Sequence, residues 1–358
     1  MVRNVAETAV VYSDEYLRHD TGRGHPERAE RLRAIMQGLR ENGFFEREFC
    51  SLVKPDMAAL EDLELVHELD YIRLVERYCR SGGGVLDLGD TVVSKESFEV
   101  ARYAVGGCLK AVKLVCEGKF RNAFAFVRPP GHHAGAFYAR GFCIFNNVAI
   151  AATHLVRNQG LRRVLIIDID AHHGNGTQDI FYDSAEVLYA GLHQDPTGFP
   201  GTGFIDEVGE GEGEGYTVNI PFPFRVNDTL YLEAFDQIIS PIAEQYKPEF
   251  VLVSAGFDMH YTDPVASLSL STLGYETIFS KILNIASRSC NGKVVAVLEG
   301  GYSLSFLGKM ASAAIAKMCN APYSVEDEVQ KVSERTLKKT KAVVSRVKRV
   351  QSRFWNLK

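Results

Sequence analysis

Residues able to bind metal ions and move protons recur in this chain, each time just after a short apolar run. The densest set is Asp168, Asp170, His172 and His173 in RVLIIDIDAHHGNG. Residues 164–167 read as a buried strand, because a short aliphatic, β-branched run suits a strand covered on both faces. Side chains alternate along an extended chain, which predicts that Asp168, Asp170 and His172 share one face. Other strand ends carry His132 and His133 in RPPGHHA, Asp258 in AGFD and Tyr302 in EGGY. A single Asp at such a place is ordinarily a helix cap. Four strands delivering Asp, His and Tyr to one edge point instead to a site, since ligands of open α/β sheets bind at the carboxyl ends of strands. Two carboxylates and one imidazole leave a coordination position open on zinc, as catalytic zinc sites do. Zinc activates water and polarises a carbonyl. The paired imidazoles supply a general base and acid, and a phenol can hydrogen-bond a developing oxyanion. Together these parts compose metal-assisted amide hydrolysis.

The elements that must hold these residues alternate along the chain. Strands are predicted over 9–12, 123–127, 164–168, 186–192, 216–220, 250–254 and 293–298, and helices over 26–41, 61–78, 96–117, 147–158, 230–246 and 272–287. This rhythm predicts an α/β fold: a central, mostly parallel sheet with helices on both faces. Ser81-Gly-Gly-Gly84 reads as a flexible loop, and the GEGEGEG tract at 209–215 as a turn between strands.

Composition narrows the class. Of 358 residues, 46% are hydrophobic and 24% charged, ordinary values for a globular protein. The seven cysteines are odd in number and form no CxxC, which argues against a disulfide framework or a Cys-based zinc site. There is no run of roughly 18 apolar residues and no apolar core of a signal peptide at the start, so the expected location is cytoplasmic. The net charge of −5 is uneven: residues 324–358 hold ten Lys/Arg against four Asp/Glu, which leaves −11 on the rest. An acidic body does not suggest a nucleic-acid groove. The expected division is a catalytic domain over 1–323 and a basic amphipathic helix over 324–358, docked or self-associating as a homo-oligomer. Its stripe is Val325, Val329, Val332, Thr336, Val343, Val347, Val350 and Phe354.

Six motifs in order, RPPGHHA (128–134), GFCIFNN (141–147), DIDAHHGNG (168–176), FPGTG (199–203), AGFD (255–258) and LEGGY (298–302), resemble the zinc-dependent histone deacetylase family. HDTGRGHPERAERL near the N-terminus extends the resemblance, and GHPER with Asn175 is closer to class II and prokaryotic deacetylase-like amidohydrolases. The resemblance implies the arginase-like α/β fold and one zinc ion held by Asp170, His172 and Asp258; an Asp/His/Asp set also accepts ferrous iron. It implies His133 as the general base, oriented by Asn175, and His132 as its electrostatic partner, oriented by Asp168. Tyr302 would bind the substrate carbonyl. Gly141, Phe142 and Phe199 would wall a narrow channel, and Asp90 would be the rim aspartate that holds substrate amides, or else a helix or turn cap. Arg31 would line an internal channel for the released acid, or else be an exposed helix charge.

The resemblance also implies potassium. An inner site would use Asp168 and the carbonyls of Asp170, His172 and Leu192, weakened because Gly191 replaces the usual serine. An outer site would use Phe181, Ser184, Val187 and Tyr216. His173 reads as structural, and His193 and His260 as surface or rim residues.

The expected substrate is an acetylated lysine in a protein or peptide. The position where polyamine-selective members carry an acidic gatekeeper is Val265, and no loop insertion lies between Leu17 and Arg31. Alternatives are an acetylpolyamine or other small acyl-amine, a two-metal ureohydrolase, and a non-catalytic scaffold. The ureohydrolase would want an aspartate where this chain has Gly174.

Overall fold

Short aliphatic runs become strands and the segments between them helices, in a computed structural model that describes residues 6–87 and 89–357. The first five residues, read above for a signal peptide, and Leu88 and Lys358 lie outside the described residues. The strands are β1 (Ala6–Val11), β2 (Cys50–Val53), β3 (Gly83–Val85), β4 (Val92–Ser94), β5 (Phe120–Ala125), β6 (Val164–Asp168), β7 (Val187–Gln194), β8 (Thr217–Phe222), β9 (Phe250–Ala255) and β10 (Val294–Leu298). The helices are α1 (Glu30–Glu41), α2 (Leu60–Leu63), α3 (Leu69–Arg80), α4 (Ser97–Cys116), α5 (Asn147–Arg157), α6 (Asn175–Ile180), α7 (Asp228–Ala234), α8 (Ser240–Tyr246), α9 (Thr272–Ser289), α10 (Leu304–Met318) and α11 (Glu334–Gln351).

Eight strands form one sheet in the order β2-β1-β5-β10-β9-β6-β7-β8, and every pairing in it is parallel. With helices around it, this is the expected α/β architecture. The central strands β6, β9 and β10 are buried at every position, as a sheet covered on both faces requires. Register places their carboxyl ends level: Asp168 pairs with Ser254 and Gly191, Leu298 with Ala255, and Val297 with Ala125. No described helix is long and apolar enough to cross a membrane.

Several elements depart from the expected ones. The helix expected from Pro26 begins at Glu30, because the Glu27 carbonyl is taken by the Thr21 hydroxyl in a separate turn, where the Glu27 amide donates to His25 Nδ1, and its carboxylate faces inward. The helical region expected over 61–78 is split into α2 and α3. The helix expected over 230–246 is interrupted by a π-helical segment, Phe235–Ile239, just before Pro241, which has no N–H to continue an α-helical ladder. The Gly-rich loop at 81–84 instead enters a two-stranded antiparallel hairpin, β3 with β4. The 324–358 segment has no regular secondary structure before α11, which starts at Glu334 and packs beside β8 with Val344 and Val347 buried.

Candidate active site

Four neighbouring strands, β5, β10, β9 and β6, end at one level, and the loops that leave them converge on a cavity of about 420 Å3. Its lining includes His132, His133, Gly141, Phe142, Asp170, His172, Phe199, Val265, Tyr302 and Asp90. Asp258 lies just beneath, fully buried.

The extended-face expectation for Asp168, Asp170 and His172 fails past the strand. β6 stops at Asp168, and the chain then curls as Asp168 Oδ1 accepts the Asp170 amide at 3.1 Å and Asp170 Oδ1 accepts the His172 amide at 2.9 Å. Short acidic side chains commonly capture the amide two residues on and turn the backbone in this way. The curl separates two groups. Asp168 turns to His132, with Oδ2 at 3.1 Å from Nδ1. Asp170, His172 and Asp258 come together, with one potential ligand atom from each within 4.8 Å of the others.

This trio is a donor set that suits a divalent cation. His172 Nδ1 lies 3.0 Å from Asp258 Oδ2 and 3.3 Å from Asp170 Oδ1. Two carboxylates, both about 1% exposed or less, therefore face one imidazole in the interior. Burial pushes the Asp258 carboxyl up and the Asp170 charge pushes it further. Burial would lower His172, but both carboxylates outweigh it and hold the ring up at about 10. The remaining carboxylate oxygens are anchored, Asp170 Oδ2 by the Gly300 amide at 2.8 Å and Asp258 Oδ1 by the Ala171 amide at 2.9 Å. A Cβ at Gly256 would fall 2.2 Å from Asp170 Oδ2, so the loop after β9 can approach only without a side chain there.

The two imidazoles beside the trio differ in charge. Burial opposes protonation of His132, yet Asp168 and Asp170 hold it at about 10. Burial and then the His132 charge keep His133 well below the usual imidazole range. His133 Nδ1 is 2.8 Å from Asn175 Oδ1. The Asn175 amide nitrogen donates to the His133 carbonyl and to Tyr138 OH, which fixes the amide's orientation and so makes Nδ1 the protonated nitrogen of His133. Its Nε2 is left as a base. Tyr138 in turn donates to Asp179 at 2.5 Å.

The channel walls are placed by equally specific contacts. Phe199 stands edge-on to His133 at 5.0 Å, and Phe142 edge-on to Tyr302 at 5.9 Å. Gly141 has φ +54°, and a Cβ there would lie 2.5 Å from His133 Cδ2, so only glycine fits. Burial raises the Tyr302 phenol well above its usual range, which keeps the proton that a donor needs. Asp90 and Val265 sit on the rim, the latter 38% exposed. The Asp90 carbonyl takes a hydrogen bond from His25, whose ring packs edge-on against Phe142.

Arg31 is fully buried, which corrects the exposed-charge alternative. It bonds the carbonyls of Glu299 and Gly301 at 2.5 and 2.6 Å, and its guanidinium lies 4.9 Å from the Tyr302 ring centre. Glu27 accepts from both Arg31 and Arg128, at 3.0 and 2.5 Å. His193 and His260 are also corrected: each is 1% exposed, the first against His173 and the second bonded to Asp327.

At the expected inner potassium position, Gly191 supplies no hydroxyl. Tyr189 OH lies 2.8 Å from where a Cβ at 191 would stand, 3.3 Å from Asp168 Oδ2 and 3.0 Å from the Gly174 amide that donates to it. The Leu192 carbonyl accepts from Tyr231 OH at 3.3 Å. Phe181, Ser184 and Val187 line a separate surface cavity, and the Tyr216 carbonyl accepts the Tyr189 amide at 2.9 Å. A Cβ at Gly174 would lie 2.2 Å from Asp168 Oδ2, so this loop has no room for the second-metal aspartate of the ureohydrolase alternative.

Residues 25–318 match the histone deacetylase domain model. A probable deacetylase of Archaeoglobus fulgidus is 41% identical, covering 97% of this chain and 98% of that protein. A probable deacetylase of Methanothermobacter thermautotrophicus is 40% identical, covering 84% and 87%. The crystal structure of the HDA15 HD domain superposes with a TM-score of 0.87 at 35% identity, covering 98% of this chain and 96% of that one. The arginase-like deacetylase fold is thus the fold of this protein. By its sequence and its fold alike, the chain belongs to the histone deacetylase family and is a hydrolase acting on amide bonds.

Proposed function

We propose that this protein is a zinc-dependent deacetylase that hydrolyses the amide of N-acetyl-lysine in a protein or peptide, giving the free amine and acetate. The observation that carries this reading is the meeting of Asp170, His172 and Asp258 beside a charged His132 and a neutral His133, in one aromatic-walled cavity. The trio would hold zinc, and zinc there would supply a Lewis acid that lowers the pKa of water and polarises the acyl carbonyl. Ferrous iron is the other ion this donor set accepts.

The chain's own residues do the rest. His133 takes a proton from the attacking water at Nε2, while Asn175 holds Nδ1–H and so the tautomer. His132, kept positive by Asp168, disfavours charge on His133 before the reaction and offsets negative charge as it develops. Tyr302 donates a hydrogen bond from its phenol to the acyl oxygen as the carbon becomes tetrahedral. Water's oxygen then remains on the acyl carbon as the C–N bond breaks, and the amine leaves with a proton returned from the imidazoles. Phe142 and Phe199 enclose the lysine methylenes, Gly141 permits their close approach, and Asp90 takes substrate amides at the rim.

Potassium is part of the same reading. Asp168 and the Leu192 carbonyl would hold the inner ion, with Tyr189 OH standing in for the hydroxyl that Gly191 lacks. Phe181, Ser184, Val187 and Tyr216 would hold the outer one.

Val265 supports acetyl-lysine over an acetylpolyamine, because an apolar side chain at that rim position gives no charge there to select a second amine. The test is turnover of a fluorogenic acetyl-lysine peptide and of acetylputrescine, side by side, on metal-defined protein. Peptide turnover that chelation abolishes and zinc restores is the expected result. Turnover of acetylputrescine alone would overturn the substrate, and turnover of neither would favour another acyl group or a binding role.

A further inference from the structure

Asp327 lies in the irregular segment after α10, nine residues past the matched family domain. Its side chain is fully covered. It accepts hydrogen bonds from His260 Nε2 at 3.0 Å, Tyr261 OH at 2.9 Å and the Thr272 amide at 2.7 Å, the last at the start of α9. One carboxylate thus ties the C-terminal segment to the loop that follows Asp258.

That loop holds the Tyr302 segment at two points. Asp263 Oδ2 accepts the Tyr302 amide at 2.7 Å, and its Oδ1 accepts the Val265 amide at 2.9 Å. Thr262 Oγ1 is 2.6 Å from Ser303 Oγ and 2.8 Å from His260 Nδ1. The Thr262 amide donates to His260 Nδ1 at 3.3 Å, so Nδ1 is the accepting nitrogen, Nε2–H faces Asp327, and the Thr262 hydroxyl must donate to Nδ1 as well. Ser303 then donates to Thr262. The result is a directed chain, Ser303 to Thr262 to His260 to Asp327, in which each hydroxyl has one orientation. Phe306 closes it from below, 4.6 Å from the His260 ring.

We infer that Asp327 is a positioning residue for Tyr302. Through His260 and Thr262 it fixes the Tyr302-Ser303 backbone, and so the place of the phenol, from a part of the chain outside the family domain. The inference rests on the reading of Tyr302 as the donor to the acyl oxygen, but its structural half can be measured apart from activity.

The experiment uses the full-length, zinc-loaded protein with Asp327→Ala, Asp327→Asn, Thr262→Val and, as a control, Gln351→Ala. Gln351 donates to the Thr217 carbonyl at the far end of the same segment and has no link to Tyr302. Hydrogen–deuterium exchange is followed at the peptide covering 300–306, together with kcat and KM on an acetyl-lysine peptide. Asp327→Ala and Thr262→Val should each speed exchange there and lower kcat about tenfold, with KM within about twofold, as small misplacement of a reacting group does. Asp327→Asn, which keeps an acceptor, should recover most of both, and Gln351→Ala should move neither. Unchanged exchange at 300–306 in Asp327→Ala and Thr262→Val overturns the inference, as does equal loosening by Gln351→Ala. If Asp327→Ala does not fold, Thr262→Val decides by the same readout. If the unsubstituted protein turns over no acyl-amine, the functional reading fails while the exchange result still decides whether Asp327 holds this loop.

Discussion

Tyr302 and His172 yield the sharpest expectations for single residues. Tyr302→Phe removes one hydroxyl from a buried site and leaves the ring contacts with Phe142 and Arg31 possible. Loss of one oxyanion donor typically costs about 10² to 10³ in kcat. The expected outcome is a fall of that size with metal content unchanged, and near-normal turnover would remove Tyr302 from the proposed mechanism. His172 bears on metal uptake. Free of metal, its carboxylate neighbours hold it at about 10, so it is protonated at pH 7.5. Zinc binds the neutral ring, so uptake must expel that proton. Calorimetry in buffers of different ionisation enthalpy should therefore find about one proton released per zinc bound; no buffer dependence would mean the site is already neutral. Residues of this kind were legible because reacting groups occur as unusual residue types at strand ends. Their supports were not. Tyr138, Asp179 and Tyr189 act from a loop, from α6 and from β7, and nothing local in the sequence marks a tyrosine as the partner of Asn175 or Asp168.

Elements position these residues through contacts that periodicity does not reveal. The central strands were readable because burial on both faces imposes unbroken aliphatic runs. β2 and the β3–β4 hairpin were not, being three or four residues long and mixed in character. The break between α7 and α8 required noticing that Pro241 interrupts an otherwise regular pattern. The packing of α1 on α10 is equally hidden. A Cβ at Gly38 would lie 2.8 Å from the Gly308 backbone, so the two helices touch glycine to glycine. α1 carries Arg31, whose guanidinium spans the carbonyls just before α10. Gly38→Ala must push the helices apart, and overpacking of this sort costs about 1–3 kcal/mol. Urea unfolding should register that loss. Because the shift is transmitted to Arg31, kcat should fall as well; a variant with full stability would mean that the crossing has slack. Glu27, between Arg31 and Arg128, tests the same corner electrostatically. Glu27→Ala leaves two buried guanidinium groups without their carboxylate, a change that typically costs about 3–5 kcal/mol.

For the molecule as a whole, the open matter is what fastens the basic C-terminal segment to an acidic body. Two kinds of contact are available, and their magnitudes differ. Arg346 pairs with Asp206 and Arg353 with Glu214, both on the acidic stretch before β8, but all four side chains are at least half exposed. Exposed pairs of this kind contribute about 0–1 kcal/mol each and are screened by salt. Against them stand Val344 and Val347, buried beside β8, and Trp355. The Trp355 indole donates to the Gly215 carbonyl at 2.8 Å and lies edge-on to Tyr216 and Tyr246. Truncating a packed tryptophan costs about 3 kcal/mol or more. The charge asymmetry visible in the sequence should therefore steer the segment to its place without holding it there. Trp355→Ala should release α11 to limited proteolysis in any salt, whereas Arg346→Glu should do so weakly and only at low ionic strength. The reverse ranking would show that charge, and not the apolar face, fastens α11. In that case the apolar stripe would be free for a partner, and self-association would become the better account of why a basic helix carries one.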